Sequence, residues 1–229
     1  MACIVFASSK GGVGKTTSCI ALAVQAALNG VPTAILELDP NQPIDDFFGL
    51  QAHHGRHIPN LHFPEDPCPT DPLVDRVDAI HQHFELLLVD LPGAASDDMV
   101  NSATASDLVV IPMQSSHWDL REVKRTRKSV ASQTRRLPDP PLIRVLLTRT
   151  PPNPILPGHY RDAVALLEAE GIERFQVELT ERKDWRNITS GGLYPPEGSA
   201  AFENAAALYR EIEGLLVADA AEHEKASAK

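Results

Sequence analysis

Residues 8 to 17 read SSKGGVGKTT, with two lysines, Lys10 and Lys15, placed around three glycines. A glycine-rich turn that leads from a strand into a helix points successive backbone N–H groups at one spot, and the helix N-terminus adds a field that favours negative charge. A lysine and a hydroxyl at the end of such a loop complete a phosphate cradle. Gly11, Gly12, Gly14, Lys15 and Thr16 supply those parts. The common phosphate-loop pattern, GxxxxGK[ST], wants glycine at position 9, where this chain has Ser9, and Lys10 occupies the next place. A lysine there sits on the rim of its own site. One natural use is to reach phosphates bound by a second, facing subunit and to supply charge during phosphoryl transfer, as an arginine finger does; the alternative is a solvated lysine beside a glycine turn.

Such a loop needs a strand before it and a helix after it. Residues 3–7 form a short apolar run and 16–29 an alanine-rich helical pattern. Further apolar runs at 33–38, 85–90, 108–112 and 142–148 predict strands, and periodicity predicts helices near 72–83, 96–105, 118–136, 158–170 and 199–217. Continuous apolar strands alternating with helices predict an α/β fold: a doubly wound, mostly parallel sheet with helices on both faces. Residues 51–72 and 150–158, rich in proline, read as loops. The chain of 229 residues, 43% of them hydrophobic, is expected to form a single domain over residues 1–218, with 219–229 a frayed tail. It holds no apolar stretch of about 18 residues and no secretory leader pattern, so a cytoplasmic location is expected. Cys3, Cys19 and Cys68 fall at unrelated spacings, form neither a disulfide framework nor a metal pair, and are read as packing residues.

The phosphate loop, KGGVGKTT, resembles the deviant Walker A motif of the ParA/MinD family of P-loop ATPases, whose extra lysine acts across an ATP-sandwich dimer. Further motifs follow in the family's order. LELDPNQP (36–43) resembles its second motif, commonly Asp-x-Asp-Pro, with Glu37 standing where the first aspartate is usual. LLLVDLPG (86–93) resembles its Walker B strand, VVIPMQSSHWDLREV (109–123) a later strand and loop, and ERKDWRNITSGG (181–192) a late arginine-rich segment. The likeness covers residues 3 to about 215. It implies ATP and Mg²⁺ as ligands, with Lys10, Lys15 and Asp39 catalytic. Gly11, Gly12, Val13, Gly14, Lys15, Thr16, Thr17 and Arg149 would bind nucleotide, Thr17 at the α-phosphate and Arg149 near the base. Thr16, Asp39 and Asp90 would hold metal and its water shell. For Asp39 and Asp90 the alternative is a simple helix cap.

Net charge is -10, which alone argues against nucleic acid, but residues 121–149 carry +7 and the remainder -17. On a helix from Leu120, Lys124, Arg127 and Lys128 share one row and Arg121 and Arg125 the adjacent one; with Arg135 and Arg136 they form the candidate DNA surface. The alternative is a solvated helix face. Arg182, Lys183 and Arg186 form a second, smaller patch that could equally serve a dimer or nucleotide site. The ParA-like branch of the family binds nonspecific DNA in its ATP state, which would place the protein on the nucleoid. It moves or spaces a cargo with a ParB-like or adaptor protein whose basic segment stimulates slow hydrolysis. The MinD-like branch docks on lipid through a basic amphipathic C-terminal helix. Here Glu211–Lys229 holds five acids, two lysines and no bulky basic-flanked face, so no direct membrane binding is expected. Instead Leu208, Ile212, Leu215 and Leu216 are expected to pack into the domain. A MinD-like protein recruited to membrane by a partner, and a metabolic P-loop enzyme, are the rival readings. His53, His54, His57 and His62 raise a metal question against a plain polar loop. With the first strand starting at the third residue, no helix-turn-helix extension and no operator-specific binding are expected.

Overall fold

Strands buried on both faces have no reason to alternate apolar with polar residues, and the apolar runs of this chain form such a sheet. The computed structural model describes residues 2–64, 71, 73–93, 97–152 and 158–227. Its strands are β1 (Ala2–Phe6), β2 (Thr33–Glu37), β3 (Leu61–His62), β4 (Leu86–Asp90), β5 (Leu108–Met113), β6 (Leu142–Thr150) and β7 (Leu179–Thr180). They form one seven-stranded sheet in the order β3-β2-β4-β1-β5-β6-β7, with every pairing parallel. The chain runs from β1 outward to β2 and β3, returns to insert β4 beside β1, and then crosses to β5 on the other side. That reversal puts the C-terminal ends of β1, β4 and β5 side by side at a topological switch point, where open α/β sheets bind ligands.

The helices are α1 (Lys15–Leu28), α2 (Pro43–His53), α3 (Leu73–His81), α4 (Asp97–Thr104), α5 (His117–Thr134), α6 (Gly158–Ala169), α7 (Lys183–Gly191) and α8 (Ala200–Ser227). Because side chains alternate along a strand, Ile4 and Phe6 of β1 face one layer and Cys3 and Val5 the other. The first layer is built from α1, α2, α7 and α8, and the second draws on α3, α4, α5 and α6. Every residue of α1 from Ser18 to Ala27 is buried. Its alanines let the helix lie close between sheet and α8, which explains an apolar helix without charged residues beyond Lys15.

All the expected strands and helices form, with ends shifted by at most two residues except at α8, which runs on to Ser227. Four elements were not foreseen. α2 fills a stretch before residue 51 for which no element was expected and ends just inside the region read as a loop at 51–72, β3 lies within that region, and β7 and α7 occupy the stretch before α8. Expected loop residues 65–70, 72 and 153–157, together with Cys68, lie outside the described residues. The tail expected to fray from 219 is helical through Ser227. Alanine, glutamate and lysine favour a helix there, and His223 Nδ1 lies 3.0 Å from Asp139 Oδ1 in the turn between α5 and β6. Leu208 and Ile212 are buried, and Leu215 and Leu216 are partly buried against the same core, as their spacing predicts. Cys3 and Cys19 are free and buried, and burial pushes both thiols well up from their ordinary pKa.

Candidate active site

The loop from β1 to α1 owes its shape to two glycines in the left-handed region, Gly12 at φ 72° and Gly14 at φ 96°. A Cβ at Gly14 would also sit 3.5 Å from the Thr148 methyl. The Thr148 hydroxyl donates to the carbonyl of Val13 at 2.7 Å and lies 3.3 Å from that of Met113, and Gln114 Nε2 donates to the carbonyl of Gly12 at 2.9 Å. The ends of β5 and β6 therefore hold the loop from behind. From the front comes Gly93, after β4: a Cβ there would meet Gly11 Cα at 3.2 Å.

These parts enclose a cavity of ≈ 420 Å³ lined by Gly11, Gly12, Gly14, Lys15, Thr16, Thr17, Asp39, Asn41, Pro43, Gly93, Arg149 and Thr189. Eight sequence-predicted residues thus converge. Val13 does not line the cavity: its side chain is 1% exposed and it contributes backbone. A wider cleft of ≈ 720 Å³, lined by Gln25, Arg56, Tyr194 and Arg210 among others, contains no phosphate-loop residue.

Lys15 is 7% exposed, with Nζ 3.5 Å from the Lys10 carbonyl. Burial holds its pKa below the ordinary lysine value, against the opposing pull of Asp90 and Asp39. Thr16 donates its hydroxyl to Asp90 Oδ2 at 2.6 Å. Asp90 is fully buried, and its Oδ1 has no hydrogen-bond partner among the described residues. Burial pushes the carboxyl up to about 7, while the Thr16 hydrogen bond and the Lys15 charge pull it back. An orphaned carboxylate oxygen next to a threonine hydroxyl at the end of a phosphate loop fits a Mg²⁺ site, since the cation would supply the missing partner and hold the carboxylate ionised. Asp39 lies at the mouth of the cavity, half-buried, and accepts from both the backbone N and Nδ2 of Asn41 at 2.9 Å. Its carboxylate stabilises its own loop and caps no helix. Glu37 does the capping: it accepts from the backbone N–H groups of Ile44 at 2.7 Å and Asp45 at 3.1 Å, in the first turn of α2. Burial also raises the Glu37 pKa above the ordinary carboxylate value.

Lys10 does not line this cavity. Its ammonium is turned outward and bonded to Asp119 Oδ1 at 2.6 Å, with the lysine side chain 40% exposed and the aspartate 2%. Asp119 belongs to the first turn of α5, whose N-cap is Ser116; the Ser116 hydroxyl donates to the other carboxylate oxygen and accepts from the Asp119 backbone N–H. Ser9 donates to Glu122 one turn on.

Arg149 lines the phosphate cavity and also a smaller one of ≈ 100 Å³ beyond Thr17, with Thr148, Glu181, Arg182, Trp185, Arg186 and Thr189. Arg149 adopts φ 50°, an unusual conformation for a residue other than glycine, and its Nε lies 3.8 Å from Glu181. Arg182 and Arg186 thus stand at this cavity, Arg186 paired with Glu181 at 2.9 Å.

The seven basic candidates on and after α5 are all exposed. Lys124 pairs with Glu170 at 2.7 Å and Arg125 approaches Glu122 at 3.7 Å. Arg121, Lys124, Arg125 and Lys128 share a shallow groove with Lys10 and Trp118, which is 71% exposed. Arg127 lies outside that groove, Arg135 caps α5 and Arg136 follows it. Among the described residues no group of three or more His, Cys, Asp or Glu is gathered to hold a metal ion, His53, His54, His57 and His62 included. His62 packs its ring 5.0 Å from Phe84 instead. Residues missed by sequence reasoning are Asn41, Gln114, Asp119, Thr148, Trp185 and Thr189. All but Thr148 stand inside segments with recognisable motifs, so the segments were legible and the contacts were not.

The chain is similar to the protein ParA of Rhizobium radiobacter, at 29% identity over 223 residues, covering 93% of this chain and 96% of that one. It is 28% identical over 148 residues to the chromosome-partitioning ATPase Soj of Thermus thermophilus, covering 52% of this chain and 57% of Soj. In structure it superposes on an ATP complex of a variant of Cyanothece McdA with a TM-score of 0.78 at 18% identity, covering 93% of this chain and 96% of that one. A model of the CobQ/CobB/MinD/ParA nucleotide binding domain matches residues 4–193, which spans the phosphate loop, the Asp39 and Asp90 strand ends and α7, and the chain belongs to that family.

Proposed function

We propose that this chain is a ParA-type ATPase that hydrolyses ATP slowly, dimerises around two bound nucleotides, binds DNA without sequence preference in the ATP state, and uses partner-stimulated hydrolysis to segregate or position a cargo. The observation that carries the reading is the divergence of the two lysines: Lys15 faces the phosphate cavity of its own protomer, while Lys10 leaves the same loop in another direction and is held on the outer rim. A lysine turned away from its own cavity and 40% exposed on the outer rim is placed to reach a facing one.

The residues divide the work as follows. The loop amides and Lys15 hold the outer phosphates, and Thr17 takes the α-phosphate. Thr16 and Asp90 hold Mg²⁺, which would neutralise charge building up on the phosphates. Asp39, at the cavity mouth, orients the attacking water or the water shell of the metal. Lys10 enters the facing protomer's site and supplies positive charge during transfer. Arg149 and the Trp185 cavity meet the base side. The exposed row Arg121, Lys124, Arg125 and Lys128, with Arg127, Arg135 and Arg136, supplies the DNA surface. An activator with a basic segment would be drawn to the acidic remainder of the chain. Among the described residues no helix is long and apolar enough to cross a membrane.

The test is retention of the purified chain on random-sequence DNA with ATP, ADP or no nucleotide, at two salt concentrations. Retention that requires ATP and falls steeply with salt is the expected result. Absence of retention in every state would refute the DNA arm, and absence of an ATP-dependent dimer in the same samples would refute the sandwich.

A further inference from the structure

Glu37 is not among the residues that line the phosphate cavity, yet it connects two parts of the site. It ends β2 directly opposite Asp90, the last residue of β4, in the parallel ladder. From there its two carboxylate oxygens reach across the next loop to the N–H groups of Ile44 and Asp45, at 2.7 and 3.1 Å. These are the second and third positions of α2, where an N-cap side chain ordinarily accepts. The residue placed to do so, Gln42, is in the left-handed region at φ 49° and makes no side-chain cap bond. α2 therefore takes its cap from the preceding strand.

The other end of the loop is tied as well: the N–H of Leu38 donates to the carbonyl of Asp90 at 2.9 Å. Residues 38–44 form a short bridge fixed to β4 at one end and to the Glu37 carboxylate at the other. Asp39 sits just inside the first tie, and its carbonyl accepts from the Gln42 N–H at 3.0 Å, which carries the constraint through to the residue before α2. Burial raises the Glu37 pKa, and the two backbone hydrogen bonds from Ile44 and Asp45 pull it back toward the ionised form.

We infer that Glu37 is a positioning residue for hydrolysis: by clamping the start of α2 to the end of β2, it fixes Asp39 at the mouth of the phosphate cavity beside Asp90. The inference rests on the role given to Asp39 above. A side chain that acts only through Asp39 has nothing left to contribute once Asp39 is gone, which a mere contributor to folding would not show.

The experiment uses the full chain with Mg-ATP and compares Glu37→Ala, Asp39→Ala and the double variant, measuring kcat for hydrolysis, the Kd for a fluorescent ATP analogue, and Tm. Glu37→Ala should lower kcat by about 10–100-fold, the range for supporting partners of a reacting site, while nucleotide Kd stays within about twofold. The double variant should be no slower than Asp39→Ala. Glu37→Gln keeps one acceptor at the same reach and should recover part of the turnover, and it gives the same readout if Glu37→Ala does not fold. Additive losses in the double variant, a parallel loss of nucleotide affinity, or unchanged kcat in both Glu37 variants would overturn the inference. If Asp39→Ala itself leaves turnover intact, the role of Asp39 falls and this inference with it; if Asp39→Ala slows turnover and Glu37 acts independently, only the positioning role falls.

Discussion

Asp119→Asn removes the charge that holds Lys10 in its own protomer. The pair is short, 2.6 Å, and unequal in exposure: the carboxylate is 2% exposed, whereas the lysine side chain is 40% exposed and still half solvated. An exposed ion pair is worth about 0–1 kcal/mol and a hydrogen bond to a charged group about 1.5–3 kcal/mol, so the contact is worth about 1–2 kcal/mol. If Lys10 must leave Asp119 to enter a facing site, each protomer gives up that amount on dimerisation and a symmetric dimer gives it up twice. With about 1.4 kcal/mol per factor of ten, Asp119→Asn should tighten the ATP-dependent dimer by about 30- to 700-fold. The asparagine carbonyl still accepts from Ser116, so the start of α5 should hold. The assay is sedimentation equilibrium with ATP in an Asp39→Ala background, in which residual hydrolysis is slow on the time scale of the run, with the midpoint protein concentration as readout. Lys10→Ala in the same background should move the midpoint the other way, because it removes the same pair and the trans contact together. A dimer unchanged or weakened by Asp119→Asn would refute the reasoning and make Lys10 a structural lysine of its own protomer.

Lys15→Ala should abolish nucleotide binding in an equilibrium titration, and Asp39→Ala should leave binding intact while the ATP dimer persists with turnover slowed to a small, measurable residue. Asp90, raised to about 7 in the fold, binds more protons folded than unfolded between pH ~4 and 7, so it lowers stability as pH rises through that window. Thermal melts without metal should show Asp90→Asn flattening this slope, and Mg²⁺ affinity of the unaltered chain should rise over the same range as the proton is displaced. Gly93→Ala puts a Cβ at 3.2 Å from Gly11 Cα, and should weaken ATP binding with little change in Tm, read by titration and melting together. Replacing Arg121, Arg125 and Lys128 by alanine should reduce DNA retention and make the log-log salt dependence shallower by about one unit per lost phosphate contact.

The central strands and α1 were legible because their burial is nearly complete: β4 is LLLVD with all five residues buried, and no other structure suits such a run. α2 was hidden by its surroundings, since its buried positions, Ile44, Phe47 and Gln51, are few and one is polar. Its signals were Pro43 at the first turn followed by two aspartates, a helix-start pattern that the histidines beyond it obscured. α7 buries Trp185 and Ile188 only, too short a repeat to show a period. In the site, Gly12, Gly14, Lys15 and Thr16 could be read because their chemistry is local to one turn. The partner of Lys10 could not, since Asp119 is distant in sequence and meets it only when β5 pairs with β1. The cap supplied by Glu37 was out of reach for the same reason at shorter range: only a folded loop brings a strand end to a helix start.

The Thr148 hydroxyl touches two carbonyls that belong to different stories. One is Val13, within the loop that senses phosphate; the other is Met113, the end of β5, three residues before the Ser116 cap of α5. One hydroxyl is thereby shared between the phosphate loop and the end of β5. The cradle is therefore held in shape from β6 by one side chain, so less of a phosphate's binding energy is spent on ordering the loop.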